Sequence, residues 1–421
     1  MMSRRITTWV GLFGLGLFLM ITKSESHTIR PPRLLWDRAS GPYKVLSVDL
    51  TNDNLSDMIV SYVGLDAISV ERNTSQFGFE RLNLFQIPKT DSDVREPIFN
   101  LDVGDLDKDG LADLAVGLGG AQEIGVPESF PGRAVLLKNL GAGRFKKMVE
   151  FPVESQAKGI RLADLNQDGV LDLLYTARGS AYPGDIAVGK LIIRKGLGQW
   201  RFGKPFEYEA GLSAYYVETT DVNGDGFPDI FIPNEHSDKV TYFLNPGNKL
   251  FTGQAQLIPM RISVSQLPGP NSARVNDVRV ADFNQDGKPD LVTANLGAST
   301  ISVFFGKGDG TFYRDTLLDG GKDCTFLAVG DLNSDGAPDF VVTHWTTDQL
   351  SVFINDGTGK FPARKDYRVG FGNYGVNLSH LDDDGNLDLI TANYQDNTLS
   401  VLKGVGDGTF ELANTVAAVP Q

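Results

Sequence analysis

The chain has one cysteine, Cys324, and four histidines in 421 residues. A single cysteine closes no internal disulfide, so Cys324 is either a buried thiol or a lone reactive one. No G-x-S-x-G, no H-E-x-x-H and no cysteine-nucleophile setting is present, which removes the common hydrolase signatures. Basic side chains are also in deficit, 39 against 53 acidic, for a formal charge of −14. That balance argues against nucleic acid and anionic membrane surfaces as partners, since both select clustered Lys and Arg. Long apolar runs are missing after the first residues. Trp9 to Ile21 is an uncharged stretch of 13, preceded by Ser3-Arg4-Arg5 and followed by Ser24-Glu25-Ser26. A spanning helix needs about 20 apolar residues, so residues 1–26 read as a signal peptide cleaved after Ser26. The mature chain, 27–421, is expected to be exported, either extracellular or periplasmic in a Gram-negative host, with no membrane span.

What the chain has in quantity is glycine, 47 residues, a mark of many turns. Six of these hold the sixth position of one recurring nine-residue pattern, D-x-[D/N]-x-D-G-x-x-D. The copies are Asp49–Asp57, Asp105–Asp113, Asp164–Asp172, Asp221–Asp229, Asp282–Asp290, Asp331–Asp339 and His380–Asp388. Their starts lie 56, 59, 57, 61, 49 and 49 residues apart. After each last Asp comes a short β-branched or aromatic run, such as Leu291-Val-Thr or Phe340-Val-Val, which reads as a strand. A second apolar run follows, then a glycine-rich turn ending in an aromatic at Phe79, Phe145, Phe202, Phe251, Phe312, Phe361 and Phe410. Such turns suit tight hairpins. Each repeat is therefore four strands, the fourth starting at the aromatic. Four-stranded units at this period describe an all-β, seven-bladed propeller of antiparallel blades over residues 27–421. Blade seven has its own fourth strand after Phe410, so no strand from the N-terminus is needed for closure, although Arg33–Trp36 can add to an edge.

The loops carry the chemistry. Ca²⁺ takes six to eight oxygens, and positions 1, 3, 5 and 9 of each loop offer side-chain oxygens. The ligand sets are Asp49, Thr51, Asp53 and Asp57; Asp105, Asp107, Asp109 and Asp113; Asp164, Asn166, Asp168 and Asp172; and Asp221, Asn223, Asp225 and Asp229. They continue with Asp282, Asn284, Asp286 and Asp290; Asp331, Asn333, Asp335 and Asp339; and Asp382, Asp384 and Asp388. Position 7 can add a carbonyl, and Gly at position 6 permits the wrap around an ion. An EF-hand needs Glu at position 12; here that position is Val60, Val116, Tyr175, Ile232, Thr293, Val342 and Thr391. An Asp-Gly hairpin alone explains the turn but not the carboxylates at positions 1 and 9. About five to seven ions are expected from the ligand count. The first copy, with Thr51 and Asn54, and the seventh, opening on His380, are expected to bind weakly or not at all.

With these motifs in view, the repeats resemble the FG-GAP/VCBS family, found in integrin α-subunits and in many exported bacterial proteins. D-x-N-x-D-G-x-P-D-[L/F/I]-V together with G-x-G-x-F carries the resemblance over residues 40–412. It implies calcium between strands one and two, on the face opposite the usual ligand surface, and secretion. It further implies adhesion or recognition more often than catalysis.

Strand direction places the two-to-three loops and the blade connections on the calcium-free face. The insertions Leu118–Gly132, Ala177–Gly189 and Gln254–Val275 all fall there, and in repeat proteins such insertions mark the binding face. Tyr62, His236, His344, Trp345 and Tyr394 on two-to-three loops, with Tyr215, Tyr216 and Tyr374 near blade entries, are candidates to stack on sugar or anchor a protein. Packing in the funnel or between blades is the competing role for the same residues. Glu123, Glu235 and Asp238 keep a polysaccharide lyase or hydrolase open as an alternative, and a structural matrix component is a third. The sequons at Asn54, Asn73 and Asn377 matter only in a glycosylating host.

The loops also account for the charge. Their ligand positions hold 22 of the 53 acids, three in six copies and four in the second. Removal of residues 1–26 leaves −16, and seven Ca²⁺ bring that to −2. The acidity is thus ligand charge rather than a surface field.

Overall fold

A computed structural model describes residues 41–418 apart from 90–95, 120–130, 183–184, 253–259 and 264–272. The expected signal peptide, Arg33–Trp36, Glu123, and most of Leu118–Gly132 and Gln254–Val275 lie outside the described residues. Seven antiparallel sheets follow one another along the chain, each built from consecutive strands. Their inner strands are Pro42–Val48, Ile98–Gly104, Ile160–Ala163, Glu218–Thr220, Val275–Ala281, Cys324–Gly330 and Asn373–Ser379. Helical content among the described residues is the 3-10 turn Gly247–Thr252.

Each second strand begins on the position-9 Asp and is buried along its whole length, as in Asp57–Tyr62 and Asp388–Asn393. A strand covered on both faces by neighbouring blades is mostly apolar, which explains the runs after each loop, and its buried polar side chains are hydrogen-bonded, as Thr391 is to the Gly375 carbonyl at 3.2 Å. Outer strands alternate instead, as in Phe410–Ala417. The core is divided accordingly. Seven apolar clusters each span one blade-to-blade interface. Every aromatic that ends a glycine-rich turn packs into the interface with the preceding blade. Phe145 joins the cluster between blades one and two, Phe361 that between five and six, and Phe79 that between seven and one.

The ring closes without a borrowed strand, because blade seven runs through its own Phe410–Ala417. Blade one grips that strand's end: the Tyr62 hydroxyl donates to the Ala418 carbonyl at 2.6 Å and Arg81 donates to the Ala417 carbonyl at 3.0 Å.

Two expectations are corrected. The fourth strand of blade four is Met260–Ser263, not a strand from Phe251. Asn245-Pro-Gly-Asn bends the chain into the 3-10 turn, and Phe251 packs from there onto blade three. In blade three the segment Ala177–Gly189 is not a plain loop. Ser180–Tyr182 pairs with Asp185–Gly196 and adds a fifth strand to that sheet. Cys324 is fully buried, with its thiol pushed up to about 12 by desolvation, so it is a packing residue.

Candidate metal centres

All seven acidic loops connect strands one and two at one end of the ring. Their backbones are nearly superposable in hydrogen bonding. In loops one, two, three, five and six the position-1 carboxylate accepts the amides of positions 5 and 6, as Asp331 does from Asp335 at 3.1 Å and Gly336 at 2.9 Å; Asp221 accepts from Gly224 and Gly226, and the seventh loop has His380 there. The position-5 carboxylate accepts the amide of position 7, as Asp335 does from Ala337 at 2.8 Å. Position 6 is left-handed in each loop; the six glycines there have φ of 78–90°, and Asn54 has 68°. In the second loop the side chains at positions 1, 3 and 5 converge. Asp105, Asp107 and Asp109 each bring a carboxylate oxygen within 4.8 Å of the others.

Position 9 has a second duty. Each of these aspartates is fully buried. One oxygen accepts the amide of position 2, and the other accepts an amide at the end of strand three. Asp339 takes Leu332 at 2.9 Å and Asn355 at 2.7 Å; Asp172 takes Leu165 at 3.0 Å and Gly196 at 2.7 Å. Burial raises these carboxyls, to about 7 at Asp172 and about 6 at Asp113, Asp229, Asp290 and Asp339, and the neighbouring loop carboxylates raise them further. A cation beside them relieves both costs.

Blades one, two, four and six add an amide staple that sequence reasoning missed. The Asn opening the glycine-rich turn donates to the position-2 carbonyl of the preceding blade's loop. Asn355 reaches Phe283 at 2.7 Å, Asn245 reaches Leu165 at 2.8 Å, and Asn73 reaches Leu381 across the closure at 2.9 Å. Asn73 is buried, so its sequon is internal.

The loops divide into two groups by the residue just before that Asn or Gly. In blades one, two, three and seven it is basic, and it lies on the loop. Arg72 meets Asp53 at 3.4 Å, Lys195 meets Asp168 at 3.0 Å, and Lys138 bridges Asp107 and Asp109. Lys403 bridges Asp382 and Asp384 at 2.6 and 2.8 Å. Asp384 is lowered to about 2, chiefly by the Lys403 hydrogen bond. In blades four, five and six the same place holds Leu244, Phe305 and Ile354, which pack on the next blade's turn. The seventh loop departs further. His380 donates Nδ1–H to the Asn386 carbonyl at 2.8 Å, occupying the position-7 oxygen.

The donor set fits a hard cation on a direct observation. Asp107 Oδ1 and Asn166 Oδ1, both at position 3, are buried without a hydrogen-bond partner among the described residues. Orphaned oxygens of this kind are costly unless something positive completes them. A bound Ca²⁺ would supply that charge and tie positions 1, 3 and 5 together.

Lys138 competes for that place in blade two. In the Lys138→Met variant, calcium affinity at the second loop is expected to rise about tenfold, since no ammonium must be displaced. Calorimetric titration measures this; an unchanged isotherm refutes the competition.

The face opposite the acidic loops is less as expected. Tyr62, His344, Tyr394, Tyr215 and Tyr216 are buried, not exposed tips. They sit where strand ends meet between blades, and His344 is held by the Lys322 carbonyl at 3.0 Å and Ser351 at 2.8 Å. Trp345 and His236 remain partly exposed. Phe371, which was not singled out, is 39 % exposed, and Gln395 links its carbonyl to that of Trp345. Glu235 is paired with Arg178 at 2.7 Å and Arg274 at 3.3 Å, and Arg178 leads the charges that lower its pKa against burial. A carboxylate so held keeps no proton for acid catalysis.

Comparisons with known proteins agree with the geometry. The FG-GAP-like repeat family matches residues 221–293 and 282–342, which contain the three loops with an apolar residue at the strand-three place. The Bos taurus phosphatidylinositol-glycan-specific phospholipase D is 31 % identical over 188 residues, 40 % of this chain; the chain spans only 22 % of that relative's length. Among solved structures, the Pseudomonas aeruginosa periplasmic gluconolactonase aligns with a TM-score of 0.59 at 16 % identity, covering 89 % of this chain and 96 % of that one. A protein of unknown function from Desulfotomaculum acetoxidans aligns at 0.56 and 13 % identity, covering 86 % and 95 %. At such identities the likeness is one of fold. The chain carries FG-GAP-like repeats on a seven-bladed β-propeller.

Proposed function

We propose that this chain is an exported, calcium-stabilised recognition module, with calcium on one face and a carbohydrate or protein ligand on the other. The observation that carries the calcium half is the split among the loops. Four receive a basic side chain from strand three on their carboxylates, and in loop five Lys288 meets Asp286 at 3.3 Å from within the loop, while loops four and six have an apolar residue at the strand-three place and no basic partner among the described residues. The loops of blades four and six are the tight sites in this reading and the others are weakened ones, fewer than the five to seven first expected. Export rests on the basic-apolar-small pattern of residues 1–26. Among the described residues no helix is long and apolar enough to cross a membrane. Recognition rests on the insertions and on Trp345 and Phe371, two aromatics open to solvent whose carbonyls Gln395 links, side chains of the kind that anchor ligands. Glu235, fixed as a carboxylate, favours recognition over acid-assisted hydrolysis.

The test is binding of the calcium-loaded protein to a glycan array and to an immobilised extracellular-protein panel. Trp345→Ala is expected to reduce capture on whichever panel responds by about tenfold. Capture unaffected by Trp345→Ala, or none on either panel, removes this face as the recognition surface.

A further inference from the structure

The inner strands of the seven blades enclose an axial cavity of about 560 Å³. Its acidic-loop end is bordered by Asp331, Gly336 and Pro338. The opposite end is plugged. Tyr43, Phe99, Tyr215, Tyr216, Phe326 and Tyr374 form one continuous aromatic cluster, with ring centroids 4.3–6.4 Å apart along it, and the Tyr43 and Tyr215 hydroxyls are 2.7 Å apart. The cavity is therefore a blind pocket that opens among the loops.

Its walls are polar at mid-depth in a way the propeller fold does not require. Arg161 meets Asp102 at 3.7 Å and Glu218 at 3.3 Å. Arg279 meets Glu218 at 2.8 Å and Asp277 at 3.1 Å, and donates to the Leu327 carbonyl at 3.0 Å. Lys44 completes the ring. Its ammonium makes no ion pair among the described residues and stands 5.7 Å from the centre of the Tyr216 ring. Burial, and next the facing Arg279, bring it down to about 8. Three cations thus face three carboxylates. An anionic ligand would leave a negative charge uncompensated inside the fold and would have to pass the acidic loops. A hydroxyl both donates and accepts, so it matches alternating guanidinium, carboxylate and ammonium groups without disturbing their balance. The volume lies within the usual range for small-molecule sites.

We propose that the axial cavity is a binding site for a neutral, hydroxyl-rich small molecule of monosaccharide size, which supplies the oxygen acceptor that Lys44 lacks. This site is separate from the Trp345–Phe371 face and does not depend on it. The sequon at Asn377 is internal for the same reason, since Asn377 lines this cavity.

The experiment is calorimetric titration of the calcium-loaded protein with glucose, galactose, mannose and myo-inositol, each paired against gluconate and glucuronate. The expected result is one site per chain for at least one neutral probe, bound at least about tenfold more tightly than either anion. Lys44→Met should weaken that probe about tenfold while leaving the melting temperature near that of the parent. Asn377→Trp, which places an indole in the cavity without changing any of its charges, should abolish the isotherm. The proposal falls if no neutral probe binds up to ~50 mM, if an anion binds more tightly than the neutral probes, or if Asn377→Trp binds like the parent.

Discussion

Chelation by EDTA is expected to lower the melting temperature by on the order of 10 °C. Ions bound only by the folded loops stabilise by mass action, about 2.7 kcal/mol for each site held at a hundred times its dissociation constant. Two such sites, in blades four and six, contribute about 5 kcal/mol, and a chain of this size moves roughly 1–2 °C per kcal/mol. The effect is not confined to lost binding energy. Without a cation, Asp221, Asp225 and Asp229 face one another with no basic side chain from strand three among them, and Asp221 and Asp225 both act to raise the buried Asp229 carboxyl. Re-addition of Ca²⁺ should restore the transition and Mg²⁺ should do so poorly, because Mg²⁺ retains its waters and tolerates loop geometry less well. A melting curve indifferent to EDTA would sink the calcium reading for all loops at once.

The parts of the fold that were legible in the sequence are those where one residue has one job. The acidic loops, the strands that leave them and the aromatics at the glycine-rich turns repeat because every blade must make the same turn and fill the same interface. Phe251 misled because it does the aromatic's packing from a 3-10 turn, without opening a strand. Tyr62 and Tyr394 resembled exposed tips because a loop position says nothing about the blade beside it; Tyr62 ends a strand that is buried throughout. Lys138, Lys195 and Lys403 were invisible as loop partners for a related reason. Each is an ordinary basic residue near the end of a strand, and only strand pairing carries its ammonium onto carboxylates at least 19 positions earlier in the chain. The axial ring is the extreme case. Lys44, Asp102, Arg161, Glu218 and Arg279 come from five blades, and none belongs to a motif. Local repetition is readable from one sequence, whereas contacts made around the ring are not.

The position-9 aspartates should therefore behave differently from the position-5 aspartates, and blade six offers a clean contrast. Asp339→Ala is expected to cost about 4 kcal/mol even in EDTA. The substitution strands the amides of Leu332 and Asn355, which now donate at 2.9 and 2.7 Å to a fully buried carboxylate, and each buried amide without an acceptor costs about 1–3 kcal/mol. Asp339→Asn keeps one carbonyl oxygen and should recover about half of the loss. Asp335, by contrast, is exposed and accepts only amides and side-chain donors of its own loop. Asp335→Ala should be nearly silent in EDTA and should remove one tight calcium site when the metal is present. Urea unfolding of the variants, with and without Ca²⁺, reads both effects in one experiment. Equal destabilisation by Asp335→Ala and Asp339→Ala in EDTA would show that position 9 has no structural duty apart from the metal. A full complement of tight sites in Asp335→Ala would show that position 5 is no ligand.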